Sequence, residues 1–139
     1  MQDCEKKNLI QKAMEVREFS YSPYSGYMVG AALMTQDGKI YTGCNIENAA
    51  YGPSNCAERT AVFKAVSEGE KSFCAIAIVG GKKDGETDFA TPCGVCRQVL
   101  AEFCDPETFS VIVAKNTEDY KCFSLRELLP ESFGPENLA

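Results

Sequence analysis

Cys93-Gly94-Val95-Cys96 sets two thiols three residues apart, and a third thiol, Cys56, stands two residues ahead of the carboxylate of Glu58. The Cys-x-x-Cys spacing serves zinc ligation or a redox pair, and cysteines also act as small buried apolar residues, so three readings compete. Eight cysteines in 139 residues are fewer than a small disulfide-stapled secreted domain carries, and reduced thiols are the expectation. The chain contains no histidine. That removes every mechanism needing an imidazole base, a Ser/His or Cys/His pair, or a His-held metal. Chemistry falls to carboxylate, thiol, amine or metal.

Cys93 and Cys96 share one face of a helix and can reach one ion. Thiolates near a helix start are stabilised by the dipole and by free backbone N–H groups, which lowers their pKa and favours metal. Three protein ligands suit a catalytic zinc, because a structural site usually closes with a fourth. Zinc lowers the pKa of a bound water from about 15.7 to about 7, and three negatively charged sulfurs weaken that effect. Arg59 is either a donor to those sulfurs that restores some Lewis acidity or a surface helix residue. Glu58 also carries two readings. Asn55-Cys56-Ala57-Glu58 has the outline of a capping box; alternatively the carboxylate takes a proton from a zinc water and passes it to a substrate nitrogen.

The elements that must position these groups follow from periodicity. Leu9, Ile10, Ala13, Met14 and Val16 recur at helical spacing and predict an amphipathic helix over about 5–17. Pro23 and its turn-forming neighbours end it. Met28 to Met34 and Lys39 to Cys44, joined by Asp37-Gly38, read as a hairpin. Cys56 to Ser67 reads as a second helix stopped near Gly69, and Phe73 to Val79 as a third strand. Gly80 to Ala90 reads as a long exposed loop. Thr91 as N-cap and Pro92 at the first position predict a third helix to about Phe103. Phe109 to Ala114 and Tyr120 to Phe123 form a strand pair, followed by a short helix that Pro130 stops. The order implies an α/β fold, a mixed five-stranded sheet with helices on both faces.

The length suits one domain spanning 1–139, with neither repeat nor linker. Fourteen basic against twenty acidic residues leave a net charge of −6, unsuited to a polyphosphate backbone, so a nucleic acid polymer is not the expected partner. No apolar run is long enough to span a bilayer, and no apolar signal segment opens the sequence; the expected compartment is the cytoplasm.

Beyond Cys56-Ala57-Glu58 and Pro92-Cys93-Gly94-Val95-Cys96, the stretches Tyr24-Ser25, Val29-Gly30-Ala31-Ala32-Leu33, Gly43-Cys44-Asn45-Ile46-Glu47-Asn48-Ala49, Arg97-Gln98 and Glu127-Leu128-Leu129-Pro130 stand in order along the chain. Together they resemble the zinc-dependent cytidine deaminases of the small type with three cysteine ligands. The resemblance implies a three-layer α/β/α cytidine deaminase-like fold. It implies that Cys56, Cys93 and Cys96 hold one Zn2+ per subunit, and that zinc-bound hydroxide attacks C4 of cytidine or deoxycytidine. Glu58 would protonate N3 and pass a second proton to the departing amine. Asn45 and Glu47 would bind the ribose hydroxyls, with Tyr27 and Ala57 also on the substrate. Tyr27 departs from the family's usual Phe, whose ring lies over the pyrimidine. Phe133 resembles an aromatic that reaches a neighbouring subunit's site, implying a homotetramer, with Tyr51 near the same interface. Cys4, Cys44, Cys74, Cys104 and Cys122 are then buried or free thiols. The rival readings are a structural zinc domain closed by one of these cysteines, and a deaminase of another aminopyrimidine nucleoside, such as an antibiotic.

Overall fold

The computed structural model covers residues 1–139. Four helices, α1 (Asp3–Arg17), α2 (Ala57–Ser67), α3 (Gly94–Phe103) and α4 (Leu125–Leu128), pack on one mixed sheet. Its strands are β1 (Tyr27–Thr35), β2 (Ile40–Cys44), β3 (Phe73–Lys82), β4 (Thr87–Asp88), β5 (Ser110–Ala114) and β6 (Tyr120–Ser124). The order is β2-β1-β3-β5-β6, with the two-residue β4 added on β3. Only β3 and β5 run parallel, as the crossover through α3 requires; the other pairings are antiparallel.

Alternation along the strands sorts side chains into two cores. On one face, Leu9, Ile10 and Ala13 of α1 cover Ala32, Ala75, Ala77, Val79, Ile112 and Ala114. On the other, Ala57, Ala61 and Val62 of α2 and Leu100 of α3 cover Ala31, Leu33, Ile76, Ile78, Val111 and Val113. The central strands are buried on both faces, and their near-continuous apolar runs follow from that. Two glycines let the helices approach: a Cβ on Gly30 would fall 2.0 Å from the Ala13 carbonyl oxygen, and one on Gly43 2.5 Å from the Ala61 nitrogen. No helix is long and apolar enough to cross a membrane.

Two sequence expectations need correction. Gly80 to Ala90 is not one long exposed loop: Gly80 and Gly81 continue β3, buried, and pair with Asp88 and Thr87 of β4. Gly81 admits that return, since a Cβ there would lie 2.6 Å from the Glu86 carbonyl oxygen. The third helix starts at Gly94 with Cys93 as N-cap, so Thr91 and Pro92 lie outside it. The Pro92 carbonyl instead accepts the Arg97 guanidinium at 2.6 Å.

Candidate active site

Both helices that supply thiols begin on a cysteine. Cys56 (φ −77°, ψ 157°) caps α2 and Cys93 (φ −67°, ψ 167°) caps α3 in extended conformation, and neither side chain makes a capping bond to the backbone of its helix. Their sulfurs therefore hang outside the helix ends. Cys96, one turn into α3, is fully buried. The Cys56 and Cys93 sulfurs lie 3.9 Å apart and those of Cys93 and Cys96 3.5 Å apart. Tetrahedral zinc with sulfur at about 2.3 Å spaces its ligands by nearly 4 Å, so the residues present fit the ion. All eight cysteines are free thiols, and the cluster holds these three alone, with no fourth cysteine to close it.

The Arg59 Nη2 donates to the Cys56 sulfur at 3.2 Å, while its buried Nε has no partner within the chain. This excludes the surface reading of Arg59. Hydrogen bonding from Cys96, and then from Arg59, draws the Cys56 thiol down to about 5, a thiolate at neutral pH.

The capping-box reading of Glu58 fails because the N-cap is Cys56, not Asn55, which moves Glu58 to the second helical position. Asn55 turns its amide to the Thr60 hydroxyl instead, at 3.2 Å. Glu58 is 5% exposed. Burial pushes its carboxyl up to about 7, within reach of both protonation states near neutrality.

Cys56, Ala57, Glu58 and Cys93 line a cavity of about 470 Å³, together with Tyr27, Val29, Asn45 and Glu47. Asn45 is largely committed to the scaffold. Its Oδ1 accepts from the Ser20 hydroxyl at 2.5 Å and the Val29 amide at 2.9 Å, and its Nδ2 donates to the Tyr27 carbonyl at 2.8 Å. One amide N–H is left for a ligand. Glu47 accepts from the Tyr24 and Ser25 amides at 3.0 and 3.1 Å and from the Ser25 hydroxyl. The hydroxyl bond first, then the amides, hold its carboxyl below the usual range. Both residues are half-buried rather than sealed.

A second hollow shares Ser25 and Glu47 and adds Tyr24, Tyr51 and Ser54. Tyr51 is 72% exposed at a positive φ of 61°, its ring edge-on to Tyr24. Phe133, 59% exposed, lies outside this chain's own cavity; its carbonyl takes the Gln98 amide at 2.8 Å. Sequence reasoning missed Val29, Phe89, Ala90 and Thr91, which also line the cavity. An aromatic directly ahead of the Cys93 loop was the available signal.

Residues 4–113 match the family model described as the cytidine and deoxycytidylate deaminase zinc-binding region. A cytidine deaminase of Sporosarcina psychrophila is 47% identical over 99% of this chain and 96% of its own length, and one of Halalkalibacterium halodurans 46% identical over 96% and 98%. The crystal structure of cytidine deaminase from Burkholderia pseudomallei superposes with a TM-score of 0.80 at 47% identity, covering 91% of this chain and 97% of that one. With three sulfurs clustered at two helix starts, and Cys56, Cys93 and a buried carboxylate lining one cavity of this fold, the chain belongs to the zinc-dependent cytidine deaminase family.

Proposed function

We infer that this chain is a zinc-dependent hydrolase that converts cytidine to uridine and ammonia, and that it takes deoxycytidine as well. The observation that carries the reading is the cluster of three sulfurs at two helix starts, of which Cys56 and Cys93 line one cavity together with Glu58. When bound by Cys56, Cys93 and Cys96, zinc supplies the Lewis acidity that makes water a competent nucleophile near neutral pH.

The chain's own residues do the rest. Water adds to C4, forming a C–O bond as the C4=N3 double bond opens onto N3; the C–N bond to the exocyclic amine then breaks as the C4=O carbonyl forms. Glu58 accepts a proton from that water, gives it to N3, and then moves a second proton to the leaving amine. Its raised pKa suits a group that must be base and acid in one turnover. Arg59 offsets thiolate charge beside the reacting centre.

The remaining amide N–H of Asn45 and the Glu47 carboxylate offer a donor and an acceptor to a sugar hydroxyl. The Tyr27 ring gives the base an apolar face. Ala57 lies against the substrate at the start of α2. The 45–55 segment contains no Lys or Arg, which favours a nucleoside over a nucleotide. The single catalytic unit is 1–139, working in pyrimidine salvage; eight free thiols suit a reducing cytoplasm. The assembly is a homotetramer in which Phe133 and Tyr51, both exposed aromatics, meet a neighbouring subunit's site.

An ammonia-release assay on cytidine, deoxycytidine, cytosine and cytidine monophosphate tests this, with turnover expected for the two nucleosides only. Glu58→Gln should keep fold and zinc and lose about 10²–10⁴-fold in kcat. Full retained activity would reject the assigned proton path.

A further inference from the structure

Phe89 follows β4, lines the cavity together with Cys56, Glu58 and Cys93, and packs on the core beneath α2 and α3. Two lysines approach its ring: Lys115 Nζ lies 4.8 Å from the centroid and Lys121 Nζ 4.4 Å. Both distances fall inside the range in which a cation is held by an aromatic face. The two reach it from different elements. Lys115 follows the end of β5, and Lys121 lies in β6 opposite Val113, whose side chain faces the same core. In a chain of net charge −6 neither lysine joins an ion pair. The Thr87 hydroxyl, two residues before Phe89, donates to the Lys115 carbonyl at 2.8 Å, tying the same segment to β5 again.

These contacts matter because the segment has little else to hold it. β4 is two residues long and pairs only with Gly80 and Gly81. From Phe89 the chain runs through Ala90, Thr91 and Pro92 straight to Cys93. Any play in Phe89 is play in a wall of the cavity.

We propose that Phe89 is a specificity-determining wall of the nucleoside pocket and that Lys115 and Lys121 are its positioning residues, clamping the ring from outside the cavity. The proposal rests on the deaminase reading above. Apolar wall contact is made equally by bound substrate and transition state, so its loss raises KM and leaves kcat nearly unchanged.

The test is steady-state cytidine deamination by the zinc-loaded chain and by Lys115→Met, Lys121→Met, the double variant, Phe89→Leu and the triple variant, with thermal melting of each. If the unaltered chain fails to turn over cytidine, the deaminase reading is what falls. With that activity in hand, the double lysine variant should raise KM about 3- to 10-fold with kcat within twofold. In the Phe89→Leu background the same pair should change KM by less than about 1.5-fold, and Lys121→Arg with Phe89 and Lys115 in place, which keeps a cation over the ring, should hold KM within about 1.5-fold of the unaltered chain. An unchanged KM in the double variant, or an equal change with and without Phe89, would overturn the proposal. Should the double variant melt below assay temperature, the single variants are read against the same criteria.

Discussion

Gly43→Ala converts a packing contact into a measurable displacement of the catalytic groups. The added Cβ would stand 2.5 Å from the Ala61 nitrogen, 2.8 Å from the Ala57 carbonyl oxygen and 2.9 Å from the Thr60 Cβ. Two of the three are backbone atoms, so no rotamer relieves the overlap. Carbon contacts settle near about 3.5 Å, which obliges α2 to withdraw by about 1 Å. The residues struck belong to the first turns of the helix that carries Cys56 at its cap and Glu58 at its second position. A misplacement of that size is worth about 100-fold in rate, so kcat/KM for cytidine should fall by about 2.7 kcal/mol of transition-state stabilisation. Overpacking costs about 1–3 kcal/mol of stability, which leaves the chain folded. The assay is the loss of cytidine absorbance, paired with thermal melting and zinc content. Gly38→Ala is the control: its φ of +91° makes alanine strained there, yet nothing lies within 4 Å and the turn is remote from the cavity. It should lose stability and keep kcat/KM. A folded Gly43→Ala chain within threefold of the unaltered kcat/KM would refute the idea that this contact sets the position of α2.

Gly80→Ala would put a Cβ 2.7 Å from that of Ala90 and 3.2 Å from Tyr27 Cε2; KM for cytidine should rise by about tenfold with kcat less affected. Burial pushes the Cys104 thiol from 9.0 up to about 12. Folded and unfolded chains both hold that proton below pH 9, and stability is withdrawn as pH climbs from 9 toward 12. Cys104→Ala should flatten that alkaline limb in urea titrations, by several kcal/mol at most. Cys56→Ser supplies α2 with a good capping hydroxyl while removing one zinc ligand. The metal-free variant should be up to about 1 kcal/mol more stable than the metal-free parent, and elemental analysis should find its zinc lost; retained stoichiometric zinc would speak against Cys56 as a ligand.

The three thiols were legible as a candidate metal set because each sits within a turn of a predicted helix start, whereas spacing left Glu58 divided between a helix cap and a proton carrier until the resemblance favoured the second. The exact start of α3 was not legible. Thr91-Pro92 is a favoured opening, but the extended backbone of Cys93 and the Arg97 guanidinium on the Pro92 carbonyl hold the loop out for another two residues. Phe89 was hidden for a different reason. Gly80 and Gly81 carry the composition of a turn, and only the return of Glu86 and Thr87 across them explains why a buried strand would lack side chains there. That return is a pairing between segments, invisible to any window of sequence. Asn45 shows a third kind of gap. The resemblance alone put it on a ribose hydroxyl, and no sequence pattern showed that three of its four hydrogen-bonding positions hold Ser20, Val29 and Tyr27 in place.

The cysteine caps connect stability to function. An uncapped helix start forgoes about 1 kcal/mol relative to Ser or Asn, and both α2 and α3 lack a side-chain cap bond. The positive helix ends, left without a neutral oxygen partner, face sulfur instead, where the dipole favours anions. Cys56 is already a thiolate at neutral pH on this account, helped by Cys96 and Arg59. The hydrogen bond that draws the Cys56 thiol down, together with burial, pushes the Cys96 thiol up, and the local cost in helix stability is offset when the ion joins two helices that otherwise meet only through the sheet and a few side chains. Serine at either cap would make a better helix and a worse enzyme.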